Sequence, residues 1–227
     1  MNPTDRISGA RPVKRHYPTD AARTADLLVH VIGLTLAFTG GGIILGFAIK
    51  TGNPGLIAAI AIYALGMIAM LSLSTAYNFA PREKRARRNK YDHAGIFLMI
   101  GASYTPFTTQ SLTGAWSWSM TAIIWGLVAL CVTGKLMEIK LPRKVWITAY
   151  IALGWMAVIA LLPLIKSVHW VSLMLLLLGG MVYTFGVIFH VNRRSLNHAK
   201  AVWHGHVVAA AGLHWAAIFL GVVLFPA

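Results

Sequence analysis

With 57% hydrophobic and 11% charged residues, this chain of 227 residues is far more apolar than a soluble domain, where about a quarter of residues are charged. A net charge of +14 would suggest a nucleic-acid partner in a soluble protein, but the basic residues sit between apolar segments, as membrane topology demands, and a nucleic-acid partner is excluded. A single cysteine, Cys131, rules out an internal disulfide and a cysteine-rich zinc site.

Residues 1–23 hold Arg6, Arg11, Lys14, Arg15 and Arg23 among prolines and threonines, with no apolar signal segment, and read as a basic cytoplasmic tail. Residues 24–227 read as one membrane domain. Its first apolar segment, about 25–48, contains Asp26, His30 and a Gly40–Gly42 run that permits close helix approach. The second, about 55–79, ends in LSTAYNF and is followed by the basic loop PREKRARRNK. A third, 91–110, opens with YDHAGIF, and Pro106 is expected to kink or end it. The remaining segments are 115–137, 145–165, 170–190 and 201–225. Spans of this length cross about 30 Å of hydrocarbon, so the expected fold is an all-α, seven-transmembrane helix bundle.

Orientation follows from lysine and arginine placement. On this seven-span reading, eighteen of the twenty lie on one side and only Lys50 and Lys166 on the other. The amino terminus is therefore expected in the cytoplasm and the carboxyl terminus outside.

Several polar groups then reach one membrane depth near the cytoplasmic face. Ser74 and Asn78 lie four residues apart at the inner end of the second helix, Asp92 at the start of the third, His30 one turn into the first, and Lys200 and His204 on one face of the last. His214 lies about 15 Å deeper and is expected to floor the same cavity. Each has a bland alternative. Ser74 can bond its own helix backbone, Asp92 can cap the third helix, and Lys200 can snorkel to the headgroups. His16 falls in the tail; His93, His169, His190, His198 and His206 read as structural. Ionisable groups at this depth mark a functional site by default.

The pieces ADLLVHVIG, STAYN, YDHAGIFLMIGASYTPF, GGMVYTFGVIF and AVWHGHVVAAAGLHW occur in an order that resembles the hemolysin III family, the bacterial branch of the adiponectin-receptor-like (progestin and adipoQ receptor) membrane proteins. The resemblance implies a seven-helix bundle in the bacterial cytoplasmic (inner) membrane. It also implies a zinc site with one histidine from the second helix, four residues after the serine, and two from the last helix in an H-x-x-x-H pair. An aspartate of the third helix would contact the metal-bound water. This chain keeps Ser74, Asp92, His204 and His214 but has Asn78 and Lys200 at two of the three ligand positions.

Neither an amide nor an ammonium replaces imidazole as a zinc ligand, so Lys200 is expected to substitute for the metal electrostatically and to pair with Asp92. No resident cofactor is expected, with zinc the one candidate. It would fall on His204 with His214, Asp92 or His30, in an incomplete site. Two functional classes remain open. One is a lipid-related sensor, regulator or transport-like protein whose cavity, lined by Asn78, Lys200 and His30, takes a membrane lipid or fatty acid. The other is activity of the superfamily type, either metal-dependent lipid amide hydrolysis with Asp92 and Ser74 as catalytic groups, or pore formation.

Overall fold

The computed structural model describes residues 16–192 and 196–225. Residues 1–15 of the expected tail, together with Arg193 and Arg194, lie outside that set. No strand occurs among the described residues, and the all-helical expectation holds. The helices are α1 Asp20–Lys50, α2 Pro54–Asn78, α3 Arg82–Pro106, α4 Gly114–Leu136, α5 Arg143–Gly154, α6 Leu161–Ser167, α7 Trp170–Val191 and α8 Ala199–Ile218. Six segments are long and apolar enough to cross a membrane: α1, α2, α4, the run from Arg143 to Ser167, α7, and α8 with its π-helical extension to Leu224. The protein is a multi-pass membrane protein, and α3 is less apolar than these six because its first half is basic.

Local signals set the helix starts. Thr19 caps α1 by accepting the amide hydrogen of Ala22, and Asn53 accepts those of Gly55 and Leu56, with Pro54 at the first position of α2. Such caps are each worth about 1 kcal/mol.

Two expected element bounds are corrected. The basic stretch expected as a loop after the second segment is helical, so α3 begins at Arg82 and not at Tyr91. The physical reason is that Arg85 donates to the Ala80 carbonyl (2.8 Å) and Arg88 to that of Ala76 (2.9 Å). Arg88 thereby satisfies a carbonyl in the last turn of α2 that helix geometry leaves without a partner, and Arg85 one just past its end. Asp92 consequently lies well inside α3 and is not its cap. The fifth segment, expected as one helix over 145–165, is broken by a 3-10 turn at Met156–Ala160, where the Tyr104 hydroxyl accepts the Ala157 amide and donates to the Gly154 carbonyl. At Pro106 α3 does end, passing into a π-helical turn, Phe107–Ser111.

Packing sorts residues as a bilayer requires. Leu28, Phe38, Leu65, Leu130, Leu162 and Phe185 are exposed on the outside of the bundle, whereas Asp26, His30 and Asn78 are buried within it. The first and last helices are joined where Trp215 donates its indole hydrogen to the Gly40 carbonyl (2.9 Å). Close approach of α8 to α7 depends on Gly186, where a β-carbon would lie 2.7 Å from that of His206.

Candidate functional site

A polar cavity opens between α1, α2, α3, α7 and α8. Its lining includes His30, Ser74, Asn78, Asp92, Lys200 and His204, six of the seven residues expected from the sequence. Hydrogen bonds order four of them into a chain. Lys200 Nζ donates to Asn78 Oδ1 (3.3 Å), and Asn78 Nδ2 donates to Ser74 Oγ (3.3 Å). Ser74 Oγ also lies 3.3 Å from His30 Nε2, and in a neutral imidazole protonated at Nδ1 it is the serine hydroxyl that donates there. At the far side of the ring, His30 Nδ1 donates to the Asp26 carbonyl (2.8 Å). That bond fixes the tautomer and leaves Nε2 as the acceptor.

The carboxylate bound to the last helix is Asp26. His204 Nδ1 donates to Asp26 Oδ1 (2.5 Å), the Tyr17 hydroxyl donates to Asp26 Oδ2 (2.5 Å), and His30 Nδ1 lies 3.7 Å from Oδ1. Asp26 is fully buried and His30 almost so. A carboxylate at that depth is tolerated because hydrogen-bond donors hold both oxygens. Desolvation by burial, and then the bond to Asp26, push the Tyr17 phenol well above the usual tyrosine range, so it remains a donor at neutral pH.

The segment before α1 completes the site. Lys200 Nζ lies 2.6 Å from His16 Nε2 and 4.5 Å from the centre of the Tyr17 ring. Tyr17 stacks on Phe79, and His16 packs edge-on against Tyr77. Lys200 and Asp92, the expected pair, both line the cavity, and the ammonium lies within hydrogen-bond distance of His16 and Asn78.

His214 does not join this group. It lines a second cavity, with Nε2 3.3 Å from the Leu176 carbonyl and its ring edge-on to Tyr183. That cavity is predominantly apolar, has a volume of about 420 Å3, and is bounded by Met99, Phe107, Leu173 and Leu176 among others. Met70, Ile96, His190 and Trp203 line both cavities, so two histidines read as structural, His93 and His190, stand at the site.

Sequence reasoning placed Asp26 in the first segment without assigning it to the site, and it set His16 aside. A signal for Asp26 was present: two ionisable residues four apart share one face of an apolar helix. Nothing in the sequence marks His16 or Tyr17, because their contacts span more than a hundred residues to Lys200 or depend on how α1 packs.

The zinc pattern implied by the resemblance does not fit these residues. At its three ligand positions stand Asn78, Lys200 and His204; the ammonium bonds the Asn78 oxygen, and His204 Nδ1 is engaged by Asp26. A positive charge there opposes a divalent cation. Among the described residues one other group, Asp26, His30 and His204, brings ligand-type atoms within 4.8 Å of one another.

Comparison with known proteins identifies the family. The chain is 29% identical to Hemolysin-3 of Bacillus cereus over 191 residues, which cover 83% of this chain and 86% of that protein. It is 27% identical to the Hemolysin-3 homolog of Bacillus subtilis (strain 168) over 202 residues, 88% and 92% of the two chains. Similarity extends to the monocyte to macrophage differentiation factor of Homo sapiens, 25% identical over 164 residues, 70% of this chain and 68% of that one. The haemolysin-III related family model matches residues 23–215, a range that contains every residue of the hydrogen-bonded site except His16 and Tyr17. The chain belongs to the haemolysin-III related family of membrane proteins.

Proposed function

We propose that this protein binds an amphiphile with an anionic head, a fatty acid or membrane lipid, and serves as a lipid-responsive regulator or carrier. The chain lies in the apolar cavity and the head beside Lys200, His16 and Asn78. One observation carries the reading: the polar and apolar cavities share Met70, Ile96, His190 and Trp203 as walls. A volume of about 420 Å3 lies within the range of small-molecule sites. Lys200 supplies the charge for a carboxylate or phosphate, and the surrounding apolar walls strengthen that attraction relative to water.

The membrane arrangement belongs to the same reading: seven spans in the bacterial inner membrane, with α3 as the seventh and the amino terminus inside. Support comes from the placement of eighteen of twenty lysines and arginines on one side. The polar cavity then faces the cytoplasm.

The test is displacement of a fluorescent fatty acid from purified protein in detergent. Saturable binding is expected, weakened about tenfold by Lys200→Gln and also by Leu173→Trp, which fills the apolar cavity. Absence of saturable binding to monodisperse wild-type protein overturns the reading. Metal analysis of the same sample decides the metal-dependent alternative, for which near-stoichiometric zinc lost on His30→Gln is the required result.

A further inference from the structure

Ser74, His30 and the carbonyl of Asp26 form a line that lipid binding alone does not need. Ser74 Oγ lies 3.3 Å from a ring nitrogen of His30, and in the neutral imidazole that nitrogen is the unprotonated one because the other donates to the Asp26 carbonyl at 2.8 Å. A serine hydroxyl on the basic nitrogen of an imidazole whose tautomer is fixed from behind is the arrangement that activates an oxygen nucleophile. Such bonds are often looser before substrate binds, so 3.3 Å is within working reach. Both residues line the polar cavity.

We propose that Ser74 is a nucleophile, with His30 as its general base, that takes the acyl group of a fatty-acyl ester whose chain lies in the apolar cavity. This rests on the lipid-binding reading for the placement of the chain. Ser74 Oγ bonds to the acyl carbonyl carbon while its proton passes to His30 Nε2. The carbon–oxygen bond to the alcohol then breaks, and the departing oxygen leaves with that proton. Water attacks the acyl-serine, gives its proton to His30, and releases the fatty acid as the proton returns to Ser74 Oγ. The Asn78 amide nitrogen lies 3.3 Å from Ser74 Oγ and 3.1 Å from the Ser74 carbonyl, and turned from that carbonyl it is the donor placed to meet the developing oxyanion. Lys200, which disfavours zinc, acts here as a positioning residue: its ammonium holds the Asn78 oxygen and so turns the amide nitrogen toward Ser74.

The experiment treats the full-length protein in detergent with a fluorophosphonate probe, locates the adduct by mass spectrometry, and follows hydrolysis of p-nitrophenyl laurate. Ser74 is expected to carry the adduct. Ser74→Ala should abolish both signals, His30→Gln should slow both at least tenfold, and 1,10-phenanthroline should change neither. Size-exclusion profiles verify that the variants are folded, and the small Ser74→Ala change tests the nucleophile even if His30→Gln does not fold. An unmodified Ser74 in monodisperse wild-type protein overturns the proposal, as does hydrolysis that survives Ser74→Ala or is abolished by the chelator. If the same preparation binds fluorescent fatty acid yet leaves Ser74 unlabelled, the nucleophile fails and the binding reading stands. If Ser74 is labelled but no fatty acid binds, the acyl chain is misplaced and the proposal of a fatty-acyl substrate is overturned with it.

Discussion

His204 and Asp26 meet at 2.5 Å, tying the start of α8 to the start of α1 through a carboxylate with no exposure to solvent. Tyr17 holds the other oxygen, so one side chain organises three parts of the chain. Asp26→Ala strips the acceptor from both donors within a buried site and is expected to cost roughly 3–5 kcal/mol. Asp26→Asn, which keeps one carbonyl acceptor, should cost less. Thermal unfolding in detergent measures both, and an Asp26→Ala protein as stable as wild type would contradict this account.

Replacing Asn78 and Lys200 together by histidine restores imidazole at both departing positions, alongside His204. The Asn78→His/Lys200→His protein is expected to bind about one zinc per chain, because three imidazoles make a competent donor set and the repelling cation is gone. Elemental analysis after dialysis against trace zinc reads the result. Either single replacement should bind far less.

Tyr17 makes stability sensitive to alkaline pH. Its phenol is pushed upward by burial and by Asp26, so the folded state retains a proton that the unfolded chain releases near pH 10. The stabilisation is therefore complete below about pH 10 and is lost as pH rises further toward the folded-state value. Thermal stability of the wild type should fall more steeply between about pH 9.5 and 11 than that of Tyr17→Phe. Parallel curves would show that the Tyr17 proton is not coupled to folding.

Gly186→Ala tests the approach of α7 to α8. The added methyl would stand 2.7 Å from the β-carbon of His206 and 3.2 Å from the Trp203 ring, and a β-carbon, bonded directly to its backbone, cannot swing aside as a flexible side-chain tip can. A loss of about 1–3 kcal/mol is expected, as for other overpacked interiors. Gly42→Ala, with nothing within 4 Å, serves as the matched control and should be neutral or slightly stabilising.

The polar cavity was legible to a useful degree because its members sit at ends of apolar segments, where the spacing of helices puts them at one depth. Ser74 with Asn78, and Lys200 with His204, followed directly from a four-residue repeat on a helix. His214 misled for the same reason. A helical wheel gives its direction from Lys200, but whether that direction faces the polar cavity or its apolar neighbour depends on where α7 lies, and α7 places it against the Leu176 carbonyl. The basic run before Tyr91 read as a loop by its charge. It is helical because its arginines serve the end of α2, a contact between elements that composition cannot register.

By itself the sequence determined that the chain is a helical membrane protein of the haemolysin-III related family, and that two expected zinc ligands are an asparagine and a lysine. Apolar length and motif order are local properties, and they survive any arrangement of the helices. Which carboxylate meets His204, and what Lys200 faces, only the tertiary structure decided. Hydrogen bonds act over about 3 Å, and in a bundle that distance is set by helix rotation and by close glycine contacts, not by position along the chain. The sequence pointed to Asp92 as the carboxylate of the site and left Asp26 unassigned. Packing of α1 against α8 gave the bond to Asp26 and left Lys200 beside Asn78, one step from Ser74.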